Sequence, residues 1–333
     1  MRTLAAPPLP EEDNQGTSRS CPKGRRSSEN FNLNRRFKMK PMVESKIVDQ
    51  FLCGDAIEVA RRLPDACADT IITSPPYYQQ RNYDSDDQIG QEISPAAYVE
   101  RLAELFLELK RVVKPEGSAW VVIGDKYVKG ELLGMPWRVC LALKDIGWVL
   151  RSDCIWHKPN AMPSSVKTRP TTDHEYIFFF SNSKKKYFYD ADAIREPHVT
   201  FSEKSKMKGG RRHFGKRGGT PEKGKNGGDS NLHDGRWDQA FHPGGRNKRT
   251  VWSISLSKFR EAHFAVYPES LVATCMNASC PPGGMVLDPF SGAGTTALVA
   301  KKTERNFVGI DCNADYIKIA KERLKKAGFQ NKR

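Results

Sequence analysis

The sequence predicts an α/β fold in which helices cover a mostly parallel sheet of seven strands. From residue 47 onward, short apolar runs alternate with longer segments of helical periodicity, a pattern typical of parallel sheets whose connections are helices. Two strand-like runs that follow each other directly, 148–156 and 175–181, predict an antiparallel hairpin at one edge of the sheet.

The predicted elements follow in chain order. Strands are expected at 48–53, 70–73, 118–123, 148–156, 175–181, 285–287 and 307–310, and helices at 56–63, 95–113, 135–146 and directly after Thr296. Each strand is a short apolar run, whereas the helices have apolar residues at helical spacing.

A glycine-rich turn follows the strand at 285–287 and has the sequence Asp288-Pro289-Phe290-Ser291-Gly292-Ala293-Gly294-Thr295-Thr296. The glycines allow a tight turn with close backbone approach, and the threonines open a helix. About twenty residues later a strand ends in Asp311, whose carboxylate can accept hydrogen bonds from both hydroxyls of a ribose. The predicted cofactor-binding residues are Asp288, Phe290, Gly292, Gly294, Thr295, Thr296 and Asp311.

Two alternatives exist for this turn. A nicotinamide cofactor is less favoured because the turn lacks the G-x-G-x-x-G spacing. A tight turn without a ligand explains the glycines, but it does not explain Asp288, Phe290 and Asp311 together.

The stretch 73–77, Thr-Ser-Pro-Pro-Tyr, follows an earlier strand. Its prolines cannot continue a sheet ladder, so a stiff segment presents Ser74, the Pro75 carbonyl and Tyr77 at the strand's carboxyl end. The exocyclic amine of cytosine or adenine is a poor nucleophile because its lone pair is conjugated into the ring. Two acceptors that hold its hydrogens would turn the lone pair toward a methyl donor. The Tyr77 ring offers a stacking face for a flipped base, worth roughly 1 to 3 kcal/mol.

With these two motifs in this order, the chain resembles the DNA amino-methyltransferases that use S-adenosylmethionine, in the permuted (beta) class whose catalytic motif precedes the cofactor motif. The resemblance covers residues 45–325. It implies a circularly permuted, Rossmann-like methyltransferase sheet, S-adenosyl-L-methionine as cofactor and double-stranded DNA as partner. In that family Ser-Pro-Pro-Tyr usually accompanies N4-cytosine methylation and Asp-Pro-Pro-Tyr usually accompanies N6-adenine methylation, so Ser74 favours cytosine.

Further stretches extend the resemblance, namely 88–92, 115–125, 156–163 and 174–176. It implies catalytic roles for Ser74, Pro75, Pro76 and Tyr77. Asp125, at a strand end, is a candidate proton or hydrogen-bond partner, and a helix cap or turn acid is an equally good interpretation. Asp55 resembles the family's acid near the cofactor adenine, or it caps the next helix. Pro268 fits the segment around the methionine end of the cofactor, where many relatives have Gln-Lys-Pro instead of Val-Tyr-Pro.

The composition is basic, with 54 Lys and Arg against 39 Asp and Glu and a net charge of +15. This charge suits a polyanionic partner and salt-sensitive binding. The eight cysteines form no C-x-x-C pair, so the sequence supports neither a metal site nor a disulfide framework. No apolar run reaches the ~18 residues of a membrane span. We therefore expect an intracellular, DNA-associated protein in the cytoplasm or nucleoid, or in the nucleus of a eukaryotic host.

Four segments are predicted. Residues 1–42 are expected to be a disordered basic tail, 43–200 the catalytic half, 201–250 a basic, glycine-rich target-recognition insertion, and 251–333 the cofactor-binding half. Arginines can contact guanine edges and lysines can contact phosphates. The predicted DNA-binding residues are Arg81, Arg211, Arg212, Lys216, Arg217, Arg236, Trp237, Arg246, Lys248 and Arg249.

The resulting hypothesis is a DNA methyltransferase of a restriction-modification type that flips out a cytosine and methylates its N4 amine. The alternatives are N6-adenine methylation on the same scaffold and a catalytically silent DNA-binding module. The oligomeric state does not follow from the sequence.

Overall fold

The structure is a computed structural model that describes residues 47–80, 88–197, 244–256 and 267–329. Its strands are β1 Gln50–Cys53, β2 Ala68–Thr73, β3 Val113–Ile123, β4 Tyr127–Val128, β5 Glu131–Leu132, β6 Val149–His157, β7 His174–Ser181, β8 Val251–Ser253, β9 Met285–Asp288 and β10 Asn306–Asp311. Its helices are α1 Ala56–Arg62, α2 Pro95–Val112, α3 Met135–Asp145, α4 Glu269–Ser279, α5 Thr295–Lys302 and α6 Ala314–Lys326, with a short 3₁₀ helix at Asp192–Ile194.

Eight strands form the central sheet in the order β1-β10-β9-β2-β3-β7-β6-β8. Of these described strands, β7 alone runs antiparallel to its neighbours. The mostly parallel α/β fold is confirmed, and the two halves of the chain predicted from the motifs contribute strands to one continuous sheet. Circular permutation, inferred from the order of the motifs, stays a prediction.

The predicted number of seven strands was wrong. The additional strand, β8, has only three residues and pairs in parallel with β6 through Ile155 and Val251. Consequently, β8 occupies the edge, and the β6–β7 hairpin lies one strand further in. Three residues are too few to show the alternation that identifies a strand in a sequence. The strand forms because it pairs with β6, which is distant in sequence.

Alternation along the strands separates two hydrophobic cores. On β2, Ile71 packs with helices α1, α2 and α3, whereas Ile72 packs with α4 and α5 on the other face. Trp120 and Val121 on β3 divide in the same way. Because successive side chains of a strand point to opposite faces, the result is a helix–sheet–helix sandwich.

Capping residues fix where helices near the sheet begin. The Asp55 carboxylate accepts hydrogen bonds from the backbone N–H groups of Ile57 and Glu58, both at 2.9 Å, and so begins α1. Ser94 caps α2 through Ala97 N–H at 3.2 Å, with Pro95 in the first turn. Both caps satisfy N–H groups that a helix start leaves without partners. In the described part of the chain, no helix combines the length and apolar character needed to cross a bilayer.

The Gly294→Ala substitution should destabilise the fold more than Gly283→Ala. Both glycines have positive φ, +73° and +71° respectively, so alanine strains the backbone at either position. At Gly294 the new Cβ would also lie 2.7 Å from the Cβ of Ala320 on α6, whereas at Gly283 nothing lies within 4 Å. We expect the free energy of unfolding to fall by about 1 to 2 kcal/mol for Gly283→Ala and by about 1 to 3 kcal/mol more for Gly294→Ala. Urea denaturation measures both, and equal losses would contradict the packing argument.

Candidate active site

The two sequence motifs meet at the centre of the sheet. Strands β2 and β9 pair in parallel through Thr70–Val286 and Ile71–Leu287, so their carboxyl ends lie side by side. This is the place where open α/β sheets bind ligands. The segments that leave these two strands line one cavity of about 240 Å³.

One side of the cavity is formed by the predicted catalytic segment and its neighbours: Ser74, Pro75, Pro76, Tyr77, Lys158 and Glu175. The other side holds predicted cofactor residues: Asp55, Phe290, Gly292, Thr295 and Asp311. The structure therefore brings nine of the predicted residues into one cleft, together with Lys158 and Glu175, for which the sequence suggested no role.

The prolyl segment is anchored from both sides. The Tyr98 hydroxyl on α2 donates a hydrogen bond of 2.9 Å to the Pro76 carbonyl. At Gly124, which follows β3, a Cβ would lie 2.8 Å from Cε2 of Tyr77, so the ring packs directly on the backbone there. This leaves the Pro75 carbonyl and Ser74 at the cleft while Pro76 and Tyr77 are held in place.

A chain of hydrogen bonds begins at Ser74. Its hydroxyl donates to the Tyr77 hydroxyl at 3.4 Å, and the Tyr77 hydroxyl donates to Oε2 of Glu175 at 2.6 Å. The other carboxylate oxygen, Oε1, is in an ion pair with Nζ of Lys158. Burial and the negative charge of Glu175 raise the pKa of Tyr77 well above its usual value, so its phenol keeps its proton and acts as a donor.

The Asp288 side chain, which lies behind the cleft lining, connects the catalytic segment to the cofactor segment. This carboxylate is 2% exposed. It accepts hydrogen bonds from the Thr73 hydroxyl at 2.8 Å, from the Phe290 N–H at 3.1 Å, from the Tyr267 hydroxyl at 2.9 Å and from the Thr296 hydroxyl at 2.6 Å. Thr73 thus ties β2 to β9, and the other three donors tie the glycine-rich turn, α5 and the segment before α4 to the same carboxylate.

The environment of Asp288 sets its ionisation. Burial raises the pKa of its carboxyl, while the hydrogen bonds from Thr296, Thr73, Phe290 and Tyr267 lower it and leave a net upward shift. Each donor therefore stabilises the charged form of a group that has lost its hydration.

The predicted cofactor residues divide into two groups. Asp288, Gly294, Thr296 and Pro268 do not line the cleft. They lie behind it, where Asp288 and Thr296 bond to each other, Gly294 precedes α5, and Pro268 precedes α4. Their contacts hold the turn in shape.

Asp311 lies at the cleft and also supports the turn. Its Oδ2 accepts the Gly292 N–H at 2.7 Å and its Oδ1 accepts the Asn313 N–H at 2.9 Å. Burial raises the pKa of this carboxyl. A carboxylate oxygen can accept more than one hydrogen bond, so both oxygens retain capacity for hydroxyl groups in the cleft.

Asp55 and Asp125 behave differently. Asp55 caps α1, which confirms one of its two interpretations, and it also lines the cleft, while a role near the cofactor adenine stays a prediction. Asp125 lies outside the cleft lining, and its Oδ1 accepts hydrogen bonds from Lys126 N–H at 2.8 Å and Met135 N–H at 3.0 Å. These contacts match the alternative of a turn acid at the start of α3.

The predicted DNA-binding residues fall mostly outside the described residues: Arg81, Arg211, Arg212, Lys216, Arg217, Arg236 and Trp237. The predicted tail, 1–42, also lies outside them. Of the described three, Arg246 forms an ion pair of 2.9 Å with Glu196, and Lys248 lies 3.8 Å from the same carboxylate. Arg249 is exposed. Pairing with Glu196 lowers the net positive charge that Arg246 and Lys248 offer to a phosphate.

Sequence reasoning assigned no role to Tyr267, Lys158, Glu175 and Gly124. Lys158 and Glu175 lie in the stretches that extended the family resemblance, which was the available signal. Tyr267 replaces a residue type common in that family, and nothing local in the sequence indicates that its hydroxyl bonds to Asp288.

The Thr73→Val substitution should destabilise the protein in a pH-dependent manner. It removes one donor from Asp288 while keeping the shape of the side chain, and we expect a loss of about 1 to 3 kcal/mol at neutral pH. The missing bond raises the pKa of Asp288 further above its usual value, so the folded protein keeps the proton to a higher pH than the unfolded chain does, and stability falls over a wider pH range as pH rises toward that pKa. The deficit relative to wild type therefore shrinks when the pH is lowered below the pKa of Asp288 in the wild-type protein, because the carboxyl is protonated in both folded proteins there. Urea denaturation at the two pH values measures this.

Thr73→Ser serves as the matched control because it keeps the hydroxyl. A valine variant as stable as the serine variant at neutral pH would show that this hydrogen bond contributes nothing.

The sequence of this chain is similar to those of known proteins. The family model described as DNA methylase matches residues 68–322. Type II methyltransferase M.Cfr9I of Citrobacter freundii is 39% identical over 300 residues, which cover 81% of this chain and 86% of that protein. Type II methyltransferase M.XycI of Xanthomonas campestris pv. cyanopsidis is 37% identical with the same coverage.

Solved structures match the fold. PvuII DNA methyltransferase (cytosine-N4-specific) superposes with a TM-score of 0.59 at 18% identity, covering 85% of this chain and 87% of that one. A putative DNA modification methylase of Thermus thermophilus, in complex with S-adenosyl-L-methionine, gives a TM-score of 0.52 at 21% identity, covering 83% and 94%. The family match spans both walls of the cleft, and the chain therefore belongs to the N6/N4 family of DNA methyltransferases.

Proposed function

We propose that the protein transfers the methyl group of S-adenosyl-L-methionine to the exocyclic N4 amine of a cytosine flipped out of duplex DNA. The observation that carries this proposal is the shared cleft. One cavity is lined both by candidate acceptors for an amine and by a surface suited to bind the nucleoside part of a cofactor. Transfer between two bound molecules needs this proximity, since alignment of the reacting atoms supplies much of the rate enhancement.

The amine is held by two oxygen acceptors. Ser74 and Pro75 line the cleft. The two N–H groups of the amine donate to the Ser74 hydroxyl and the Pro75 carbonyl, and these hydrogen bonds rotate the nitrogen lone pair out of conjugation with the ring. Tyr77 gives the base an aromatic surface for stacking. The proton lost on methylation leaves to solvent or to a nearby acid.

The cofactor side of the cleft fits S-adenosyl-L-methionine. At Gly292 nothing lies within 4 Å of the position that a Cβ would take, so the turn leaves room for a ligand. Asp311 and Asp55 offer carboxylates to hydroxyl and amine groups, and Phe290 and Ile319 offer apolar surface to a purine. When bound, the cofactor supplies a methyl group on a sulfonium, which is already an activated donor.

Cytosine is favoured over adenine by the Ser-Pro-Pro-Tyr sequence at 74–77, which in the family usually accompanies N4 methylation. The PvuII enzyme, described as cytosine-N4-specific, shares the fold. The names of the relatives, type II methyltransferases, support a role in a restriction-modification system that acts on double-stranded DNA.

Nucleoside analysis tests the proposal directly. Unmethylated plasmid DNA incubated with the purified protein and S-adenosyl-L-methionine should contain N4-methylcytosine by mass spectrometry. Ser74→Ala should lower the rate on the order of 100-fold or more, because one of two acceptors in the transition state is lost. DNA binding should remain.

The other outcomes are equally informative. N6-methyladenine would keep the fold and the cleft but overturn the choice of base. A wild-type protein that binds S-adenosyl-L-methionine and DNA but yields no product would favour the silent binding module.

Asp311→Asn should weaken binding of S-adenosyl-L-methionine by about tenfold, the effect of one hydrogen bond to a charged group. Isothermal titration calorimetry measures this affinity. Asp315→Asn removes a carboxylate from the exposed first turn of α6, outside the cleft lining, and is the matched control. Unchanged affinity in Asp311→Asn would remove that carboxylate from the cofactor site.

A further inference from the structure

We propose that Glu175, held by Lys158, is a positioning residue that orients the hydroxyl protons of Tyr77 and Ser74 so that Ser74 faces the target amine as an acceptor. This inference rests on the proposed methyl transfer and adds to it the groups that prepare Ser74. It explains a partly buried ion pair that methyl transfer alone does not require.

A serine hydroxyl is by itself ambiguous. It can donate its proton or accept one, and a hydroxyl that pointed its proton at the amine would compete with the amine's own hydrogens. Ser74 serves as an acceptor only when its proton is bound elsewhere. In the structure the hydroxyl oxygen of Tyr77 lies 3.4 Å from the Ser74 hydroxyl and is its assigned acceptor.

The donor–acceptor direction of this hydrogen-bond chain is set at Glu175, the end opposite Ser74. An ionised carboxylate has no proton to donate, so the 2.6 Å contact between Tyr77 and Oε2 of Glu175 has the phenol as donor. The phenol proton is thus directed to Glu175, and the phenol oxygen is left to accept from Ser74. The raised pKa of Tyr77 keeps this donor protonated.

Lys158 fixes the carboxylate. Its ammonium contacts Oε1 of Glu175, and both side chains are only 15% exposed. The same ammonium lies 4.5 Å from the centre of the Trp156 ring, a cation–π distance. Lys158 directly follows β6 and is therefore held beside Glu175 on β7. Because it contacts one carboxylate oxygen, the other oxygen is left to accept from Tyr77.

Glu175→Gln keeps the shape of the side chain but reverses the donor–acceptor direction of the hydrogen bonds that link residue 175 to Tyr77 and Ser74. The Lys158 ammonium, which only donates, takes the single amide oxygen and turns the amide NH₂ toward Tyr77. The phenol then accepts from Gln and donates to Ser74, and Ser74 directs its proton into the cleft. We expect the single-turnover rate to fall on the order of 100-fold, with the affinity for S-adenosyl-L-methionine and the KM for plasmid DNA within about threefold of wild type.

A second substitution should restore the original direction. In Lys158→Met/Glu175→Gln no ammonium selects the amide oxygen, so the amide can turn its oxygen to Tyr77. We expect the double variant to react at least about tenfold faster than Glu175→Gln alone. Replacing Lys158 also removes the charge that Glu175→Gln leaves unpaired, so urea denaturation of both variants is measured beside the rates. Recovery of the rate without a matching recovery of the free energy of unfolding identifies the proton direction, whereas parallel recovery of both would overturn the positioning role. Glu116→Gln, with the same change of charge near the amino end of β3, is the control.

The outcomes separate the two proposals. A wild-type protein without methyl transfer would overturn the proposed function itself. An active wild type with a Glu175→Gln rate within about threefold of its own, or a double variant no faster than Glu175→Gln, would overturn the positioning role alone. If Glu175→Gln fails to fold, Tyr77→Phe tests the same chain from its middle, since it leaves the Ser74 proton without its acceptor. Its rate should fall with cofactor affinity unchanged, and a wild-type rate would overturn the inference.

Discussion

The buried carboxylate of Asp288 is the constraint on which the site depends. It lies where β9 ends, and its donors come from β2, from the glycine-rich turn, from α5 and from the segment before α4. A buried charge is tolerated only when hydrogen bonds replace its hydration. The four donors must therefore converge for the fold to form, and their convergence places the catalytic segment beside the cofactor turn.

The same constraint orients Ser74, the proposed acceptor for the target amine. Thr73 is the last residue of β2, and its hydroxyl points to Asp288 inside the protein, whereas the next residue, Ser74, lines the cleft. Successive side chains of an extended segment point to opposite sides. Fixing Thr73 to the interior thus turns Ser74 outward, and the stiff prolines that follow keep it there. The position of this proposed acceptor is a consequence of β-strand geometry and one buried hydrogen bond.

The sequence was sufficient for the seven longer strands, the two motifs and the cleft that they form, because apolar alternation and prolines act locally. It was insufficient to predict β8 or the hydrogen-bond partner of each polar atom in the site. Thr73 and Asp288 are 215 residues apart, and Tyr77 and Glu175 are 98 apart. Strand ends can be predicted to meet, but which oxygen accepts from which hydroxyl depends on register and packing. For this reason Asp288 was expected at the cofactor, and Glu175 was expected nowhere in the site.

Two tyrosines that line the cleft each donate a hydrogen bond to a carboxylate. Burial and a neighbouring carboxylate raise the pKa of Tyr77 beside Glu175 and of Tyr267 beside Asp288. Each phenol thereby remains a donor to its carboxylate. Beside Asp288 the second hydroxyl, that of Thr296, donates to the same carboxylate. Beside Glu175 the second hydroxyl, that of Ser74, donates to the phenol oxygen, so the proton direction set by the carboxylate passes on to Ser74. Carboxylates set away from the reacting atoms can in this way determine which side of a neutral hydroxyl faces the cleft.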